Sequence, residues 1–393
     1  MQLLKRITTS LYIIIVVALA FVKGYNSWFM ITLWALLALF GTVYIIKCGK
    51  LFRWNNSITQ KSTSDHPSPL TGNGQGRGLM GFLLHLSFLI ILSGAMVTHL
   101  TQKKGTIHLR QGEPMAYFLD EDEKIFRLNY SLQLDSFKVV YEENGRVPKD
   151  YVSYITVLPS GNHSMASGDA GGGIEKIANT QQSHEVISMN NILRIGNSRY
   201  YQSSYDEDLR GAILIINRDP WGIPITYCGY VLMVLSFIMI ILRRTDRRVV
   251  LGSLCMAMVI AWLFSLKEYN QPVLNTWLLP VHVSLIVTSY VMLFLAVWKR
   301  QLLHVAIGFL AMGIFIGAYW ANISWGTYWS WDPKEVWALI TMMVYAAPLH
   351  ASSLPCFRNP RFYRAYMLIA FLCVLMTYFG VNYLLGGMHS YGA

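Results

Sequence analysis

Long apolar runs separated by short polar segments dominate the hydropathy pattern of this 393-residue chain. Runs long enough to cross a bilayer, about 20 residues each, lie near residues 7–25, 27–47, 79–98, 221–242, 249–266, 276–298, 302–321, 335–353 and 364–386. The pattern predicts a polytopic α-helical membrane protein with about nine spans. A second run follows the first at once, so we interpret the first as an uncleaved helix rather than a signal peptide.

Between the third and fourth apolar runs, the pattern of apolar residues changes from long continuous runs to an alternation of apolar and polar positions. Every second position is apolar in two successive stretches, first Phe126, Leu128, Tyr130, Leu132 and Leu134, and then Phe137, Val139 and Tyr141. Further strand-like runs cover residues 151–158, 192–201 and 212–216. This pattern predicts an exported, mainly β insert, either a small sandwich or a meander.

These periods divide the chain into three parts. Residues 1–100 form a membrane part with three spans, residues 101–220 the exported insert, and residues 221–393 a membrane part with six spans. The composition of residues 62–77 predicts a flexible cytoplasmic linker, and the glycine-rich run 161–173 predicts a disordered loop.

Basic residues fall in alternate loops, near residues 5–6, 47–61, 243–248, 299–300 and 358–364. The positive-inside rule places these loops and the amino terminus in the cytoplasm, and the insert, the loop 325–337 and the carboxyl terminus outside. The net charge of +11 is therefore mainly topological and implies no nucleic-acid partner. A hydrophobic content of 54% and a mean hydropathy of +0.38 agree with a lipid membrane as the surroundings.

The five cysteines lie in predicted spans or cytoplasmic loops, at Cys48, Cys228, Cys255, Cys356 and Cys373. They form no Cys-x-x-Cys pair, so neither structural disulfides nor a thiol–disulfide activity is expected. Without a Cys-x-x-Cys-His sequence, the chain is not itself a c-type cytochrome.

The loop 325–337 holds four tryptophans within thirteen residues, Trp325, Trp329, Trp331 and Trp337. This much apolar surface is costly in a soluble loop. A flat aromatic surface at a membrane boundary suits a flat, apolar ligand. An interfacial aromatic belt accounts for one or two tryptophans but explains four less well.

Asp332 has two possible roles in this loop. With Pro333 at the first helical position and Glu335 at N3, Asp332 fits the N-cap of a capping box for the eighth span. We favour that role over direct contact with a ligand, and keep both. Lys334 and Arg210 are candidate partners for ligand carboxylates.

Four histidines fall into two pairs by depth. His282, near the start of the sixth span, and His389, after the ninth, lie on the same outer side as the tryptophan-rich loop. His85 and His350 both reach the cytoplasmic half of the bilayer. Two neutral imidazoles across a ring plane are a normal axial pair for haem iron. Intramembrane histidines are functional candidates, although each could instead make an interhelical hydrogen bond.

These residues carry a family resemblance. Residues 325–335 resemble the WWD signature of haem-handling membrane proteins in cytochrome c maturation, and residues 386–392 resemble the ending of the CcsA (ResC) branch. Residues 199–211, followed by Asp219 and Pro220, resemble the end of the exported domain of the CcsB (ResB) partner. The chain resembles a fused CcsB–CcsA protein, a System II cytochrome c synthase, although its exported domain is short for that family.

The resemblance implies a function in haem attachment. Haem b, ligated by two histidines, would pass from His85 and His350 to His282 and His389 beside the WWD loop. Its vinyl groups would then react with the Cys-x-x-Cys-His thiols of apocytochrome c. The implied partners are haem, apocytochrome c, thiol reductants of the maturation pathway and the lipid of a bacterial inner (cytoplasmic) membrane.

Two other functions stay open at this point. A haem exporter or chaperone would hand haem to a separate ligase, but it needs no exported domain for an apoprotein. A b-type electron carrier would use the four histidines to oxidise quinol, which leaves the tryptophan-rich loop unexplained.

Overall fold

The computed structural model describes residues 2–21, 27, 29–43, 46, 72–141, 148–159, 182–267, 275–351 and 354–385. The predicted loop 161–173, Cys48 and His389 lie outside these residues. The predicted flexible linker 62–77 is wrong at its carboxyl-terminal end, because a helix begins at Gly72. The first residues of that helix are mostly glycine and polar, and its apolar part is the predicted run 79–98.

Six described helices are long and apolar enough to cross a membrane, which confirms a multi-pass membrane protein. They are α3 (Gly72–Thr101), α4 (Gly222–Arg244), α5 (Arg247–Ser265), α6 (Leu278–Leu295), α7 (Leu302–Ser324) and α9 (Pro360–Leu375), which continues as the π-helical Met376–Leu385. The other three predicted spans correspond to helices with shorter apolar stretches. They are α1 (Gln2–Phe21), apolar over Ile7–Phe21, α2 (Phe29–Val43) and α8 (Pro333–Ala346), which a 3₁₀ turn extends over Ala347–His350.

Helix α7 is the centre of the membrane bundle. In its most apolar window 72% of the residues are buried, against 11% for α5. Both helices are apolar all round, as core helices and membrane spans are, but α7 is the one that the other helices surround. Helices α4, α6 and α8 contact α7, and α1 is tied to α8 by the hydroxyl of Tyr12, which donates to the carbonyl oxygen of Met343.

The insert is one antiparallel sheet of eight strands, which confirms a mainly β insert. Its strands are β1 (Lys103–Arg110), β2 (Pro114–Asp120), β3 (Ile125–Tyr141), β4 (Pro148–Pro159), β5 (Ser183–Ile187), β6 (Leu193–Ile195), β7 (Ser198–Tyr205) and β8 (Gly211–Arg218). Their order is β5-β4-β3-β2-β1-β8-β7-β6. The predicted strand 192–201 is wrong as a single strand, because Gly196, at φ 56°, turns the chain into the β6–β7 hairpin.

The two alternating stretches of β3 belong to one bent strand. The register with β4 shifts between Leu134 and Ser136. A β-bulge inserts one residue, so the buried face passes from the even-numbered Leu132 and Leu134 to the odd-numbered Phe137. The change of phase in the sequence therefore marks the bend.

The sheet curls so that its two halves share one apolar core. The hydroxyl groups of Tyr130 on β3 and Tyr200 on β7 are 2.5 Å apart and buried. The hydroxyl of Ser153 on β4 donates to the side-chain carbonyl of Gln202 on β7 at 2.7 Å. Strands that are not neighbours in the sheet thus meet across its interior.

The sheet is joined to the membrane bundle through paired strands and paired helices. β1 follows α3 after one residue, β8 precedes α4 by three, and the two strands pair from Lys103–Arg218 to Arg110–Gly211. Below them, α3 and α4 approach closely, because a Cβ on Gly94 would lie 2.6 Å from the backbone nitrogen of Thr226. Small residues allow such contact between membrane helices.

Candidate functional site

The structure brings His85 and His350 together. His85 lies on α3 and His350 ends the 3₁₀ turn after α8, and their ring centroids are 5.8 Å apart with the planes at 85°. Two imidazoles on one metal ion place their donor nitrogens about 4 Å apart, since each metal–nitrogen bond is about 2 Å long. The ring centroids of such a pair are farther apart than the donor nitrogens, and the observed centroid separation of 5.8 Å is compatible with a shared metal ion.

Hydrogen bonds fix the proton on one nitrogen of each ring. His85 Nδ1 lies 2.6 Å from the carbonyl oxygen of Gly81, and His350 Nδ1 lies 3.1 Å from that of Ala346. A carbonyl only accepts, so both Nδ1 atoms carry the proton and both Nε2 atoms carry the lone pair that a metal needs. A backbone carbonyl on the second nitrogen is the usual support for a metal-ligating histidine, so the donor set fits haem iron.

His282 is held in the same way at the contact between α6 and α7. Its Nδ1 lies 2.8 Å from the carbonyl oxygen of Gly313. A Cβ on Gly317 would lie 2.7 Å from the Cε1 atom of the ring. The absence of a side chain at residue 317 thus provides the space for the imidazole. His389, which the sequence predicts as the second haem ligand beside His282, lies outside the described residues.

Trp320 is a neighbour of His282 that the sequence reasoning missed. It is 3% exposed, and its ring centroid lies 6.4 Å from that of His282 and 5.4 Å from that of Trp325. It lies inside a continuous apolar span, where one more aromatic residue gives no signal in the sequence. The spacing Gly313-x-x-x-Gly317 was the available sign of a close helix contact here.

The four tryptophans of the loop 325–337 do not form one flat surface. Trp325 packs with the apolar cluster of α6 and α7, Trp329 with the main membrane core, and Trp331 and Trp337 with the cluster between α1 and α8. Of these, Trp329 and Trp331 make a perpendicular ring contact at 5.9 Å. Trp331 adopts φ 59°, a backbone conformation that tryptophan rarely takes, and such strain persists only where packing imposes it.

Asp332 caps helix α8, as predicted. It is 5% exposed and its side chain accepts from the backbone nitrogen of Lys334 at 2.9 Å. The Glu335 side chain accepts from the backbone nitrogens of Asp332, at 3.3 Å, and Ser330, at 2.8 Å. The capping box thus fixes where the tryptophan-rich loop ends and α8 begins.

Substitutions at Asp332 distinguish capping from contact with a charged ligand. We expect Asp332→Ala to lower the stability of the folded protein by about 0.5–2 kcal/mol, the usual loss for an N-cap. Asp332→Asn should keep most of that stability, because asparagine also caps. Thermal unfolding in detergent measures both. If Asp332→Asn retains stability but loses bound haem, the carboxylate contacts the ligand.

The exported sheet is hydrogen-bonded to the tryptophan-rich loop. The side-chain amide of Asn217, on β8, donates to the carbonyl oxygen of Gly326. Gly326 adopts φ 84°, and a Cβ there would lie 2.7 Å from the ring of Tyr201 on β7. The hydroxyl of Ser324 donates to the side-chain oxygen of Asn190 at 3.0 Å. Strands and loop thus form one packed junction.

A second polar chain joins the same loop to the base of the sheet. Burial raises the pKa of Tyr328, so its hydroxyl stays protonated and donates to the Thr98 hydroxyl at 3.1 Å. Thr98 donates in turn to the carboxylate of Asp219 at 2.7 Å, and Asp219 also accepts from the backbone nitrogen of Gly222 at 2.8 Å. Sequence reasoning assigned no role to Thr98, since nothing in the sequence places it beside the loop.

The remaining candidate residues stand apart from these sites. Arg210 takes part in the β7–β8 turn, where its backbone nitrogen donates to Asp208 at 3.0 Å. Cys228, Cys255, Cys356 and Cys373 are free thiols. Among the described residues, no group of three or more His, Cys, Asp or Glu side chains could hold a metal ion. A ligand set of two histidines is the arrangement that the described part of the chain offers.

Two segments of the chain match known families. Residues 53–220 match the ResB-like family, and residues 294–389 match the family described as Cytochrome C assembly protein. The first segment contains His85 and the whole sheet, and the second contains His350 and the tryptophan-rich loop. His85 and His350 thus come from different family segments.

Curated relatives named cytochrome c biogenesis protein CcsA are similar to part of the chain. The protein of Heterosigma akashiwo is 47% identical over 96 residues, that of Guillardia theta 54% over 84, and that of Solanum lycopersicum 45% over 96. These matches cover 24%, 21% and 24% of this chain and 29%, 27% and 30% of the relatives. The chain spans less than a third of the length of these relatives. It joins a ResB-like segment and a cytochrome c assembly segment in one polypeptide, which is consistent with a CcsB–CcsA fusion.

Proposed function

We propose that this protein carries haem across the membrane and attaches it covalently to apocytochrome c. The observation that carries the proposal is the inner pair, in which His85 of the ResB-like segment faces His350 of the assembly segment at 5.8 Å. A haem ligated there by both histidines would need both segments to be folded together. His282 and His389 form the outer ligand pair in this proposal.

Attachment needs positioning more than acid–base chemistry. Each apocytochrome thiol adds across a haem vinyl group: a carbon–sulfur bond forms at one vinyl carbon and the thiol hydrogen goes to the other. The addition is redox-neutral, so the two thiols only have to arrive reduced. The protein's part is to hold the vinyl edge near the thiols, and the loop of Trp325, Trp329, Trp331 and Trp337 is our candidate for that task.

The junction between sheet and loop favours a synthase over a haem exporter. An exporter has no use for an exported domain bound to the loop beside its outer site. Here Asn217 and Tyr201 of the sheet contact Gly326 of the loop directly. An apocytochrome docked on the sheet would therefore lie next to the outer haem. In this proposal the sheet, the loop and the carboxyl terminus face the exported side, and the amino terminus the cytoplasm.

Co-expression with an apocytochrome tests the proposal. In a bacterial host without its own maturation system, the full chain should yield a cytochrome whose haem stays attached under denaturing electrophoresis. A cytochrome with Ser-x-x-Ser-His in place of Cys-x-x-Cys-His is the matched control and should carry no covalent haem. If haem reaches the exported side but stays non-covalent with both cytochromes, the protein is an exporter.

A further inference from the structure

The loop that follows His350 folds back onto it. The backbone nitrogen of Leu354 donates to the carbonyl oxygen of His350 at 2.8 Å. Nε of Arg358 donates to the carbonyl oxygen of Ala351, the next residue, at 3.3 Å. The guanidinium of Arg358 is therefore held beside the turn that carries an inner histidine.

The backbone on both sides of Arg358 is fixed. Phe357 is 4% exposed and packs in the main membrane core. Asn359 caps α9, its side chain accepting from the backbone nitrogen of Arg361 at 2.9 Å. Arg358 thus projects from a rigid point rather than from the middle of a loose loop.

Arg300 and Arg358 differ in what they bind. Arg300 donates to the carbonyl oxygen of Phe357 and stacks on the ring of Tyr363 at 4.0 Å, so its cation is occupied within the fold. Arg358 is exposed, and no ion pair among the described residues includes it. Its Nε bond to Ala351 leaves the two terminal nitrogens, which form the fork that grips a carboxylate.

Haem supplies the matching chemistry, because it carries two propionate carboxylates on one edge of an apolar ring. A carboxylate that is taken out of water is costly unless a cation pairs with it. We propose that Arg358 binds a haem propionate at the inner site and so sets the orientation of the ring between His85 and His350. This inference rests on the proposed function, since it takes haem as the ligand of that pair.

Haem titration of the full-length protein, purified from a haem-deficient host, tests Arg358. Every protein in the series carries His282→Ala, so that the inner site is read alone. We expect Arg358→Gln to weaken haemin binding by about 10- to 100-fold, the usual effect of losing a hydrogen bond to a charged group. Arg358→Lys should bind haemin with an affinity between those of Arg358→Gln and the parent protein. Arg361→Gln, at an exposed arginine three residues away, is the matched control and should bind like its parent.

Haemin dimethyl ester separates propionate binding from a structural role. The ester lacks the carboxylates, so Arg358→Gln and its parent should bind it equally. Arg358→Gln should also lower the midpoint potential of bound haem, because a cation near the iron favours the reduced state. Unchanged haemin binding, or an equal loss for haemin and its ester, overturns the assignment of Arg358. If His85→Ala and His350→Ala retain haemin in the same series, the inner site itself is wrong.

Discussion

Replacing either His85 or His350 by alanine should abolish haem at the inner site and, with it, cytochrome c maturation. The ring centroids of the two histidines are 5.8 Å apart. If one imidazole is removed, the other can fill only one axial position of the iron, and the second position stays open. We expect less than a tenth of the covalent cytochrome made by the unmodified protein. The reduced absorption spectrum of the purified protein should lose its bis-histidine bands to a similar extent.

Added imidazole provides the first control for this experiment, because a free ligand can occupy the position that the missing side chain leaves. Imidazole should restore the spectrum of His350→Ala. His184→Ala is the second control, since His184 lies on β5 and hydrogen-bonds Thr156 within the sheet. Full retention of the spectrum in both His85→Ala and His350→Ala would assign these histidines to helix packing.

Gly317→Ala should disable the outer site without removing any ligand. The added Cβ would lie 2.7 Å from Cε1 and 2.8 Å from Nδ1 of His282, so the imidazole has to move and its bond to Gly313 breaks. Overpacking of this kind typically costs about 1–3 kcal/mol, and a displaced ligand adds the loss of haem. We expect at least a tenfold drop in covalent cytochrome, with haem at the inner pair retained.

Gly308→Ala is the matched control for that experiment. Gly308 lies on the same helix, where a Cβ would meet only the Cδ1 atom of Ile241 within 3 Å. The end of a flexible side chain moves aside readily, so this variant should mature cytochrome normally. An equal loss of covalent cytochrome in both variants would mean that the loss comes from general crowding around α7 and not from the displacement of His282.

Sequence patterns predicted the elements of this fold well because each pattern reflects a local physical requirement. Apolar runs of bilayer length became helices, and the change of phase after Leu134 became a bulge. The Asp332–Glu335 spacing became a capping box because N-cap and N3 residues are close in any helix start.

The pairing of His85 with His350 was predicted from depth, since position along a membrane helix translates into height in the bilayer. Depth does not specify which helices are neighbours. The Tyr328–Thr98–Asp219 chain could not be predicted for that reason, because it joins residues more than 100 positions apart. The distribution of the tryptophans over three apolar clusters could not be predicted from the sequence either, because it depends on how α1 and α8 pack.

The short connections from α3 to β1 and from β8 to α4 have a mechanical consequence. Two paired strands resting on two paired helices form a single rod, in which one residue joins α3 to β1 and three residues join β8 to α4. His85 lies on this rod, about 25 Å along the helix axis from its junction with β1. In the proposed function, a tilt of the sheet on docking of an apocytochrome would be transmitted along the rod to His85.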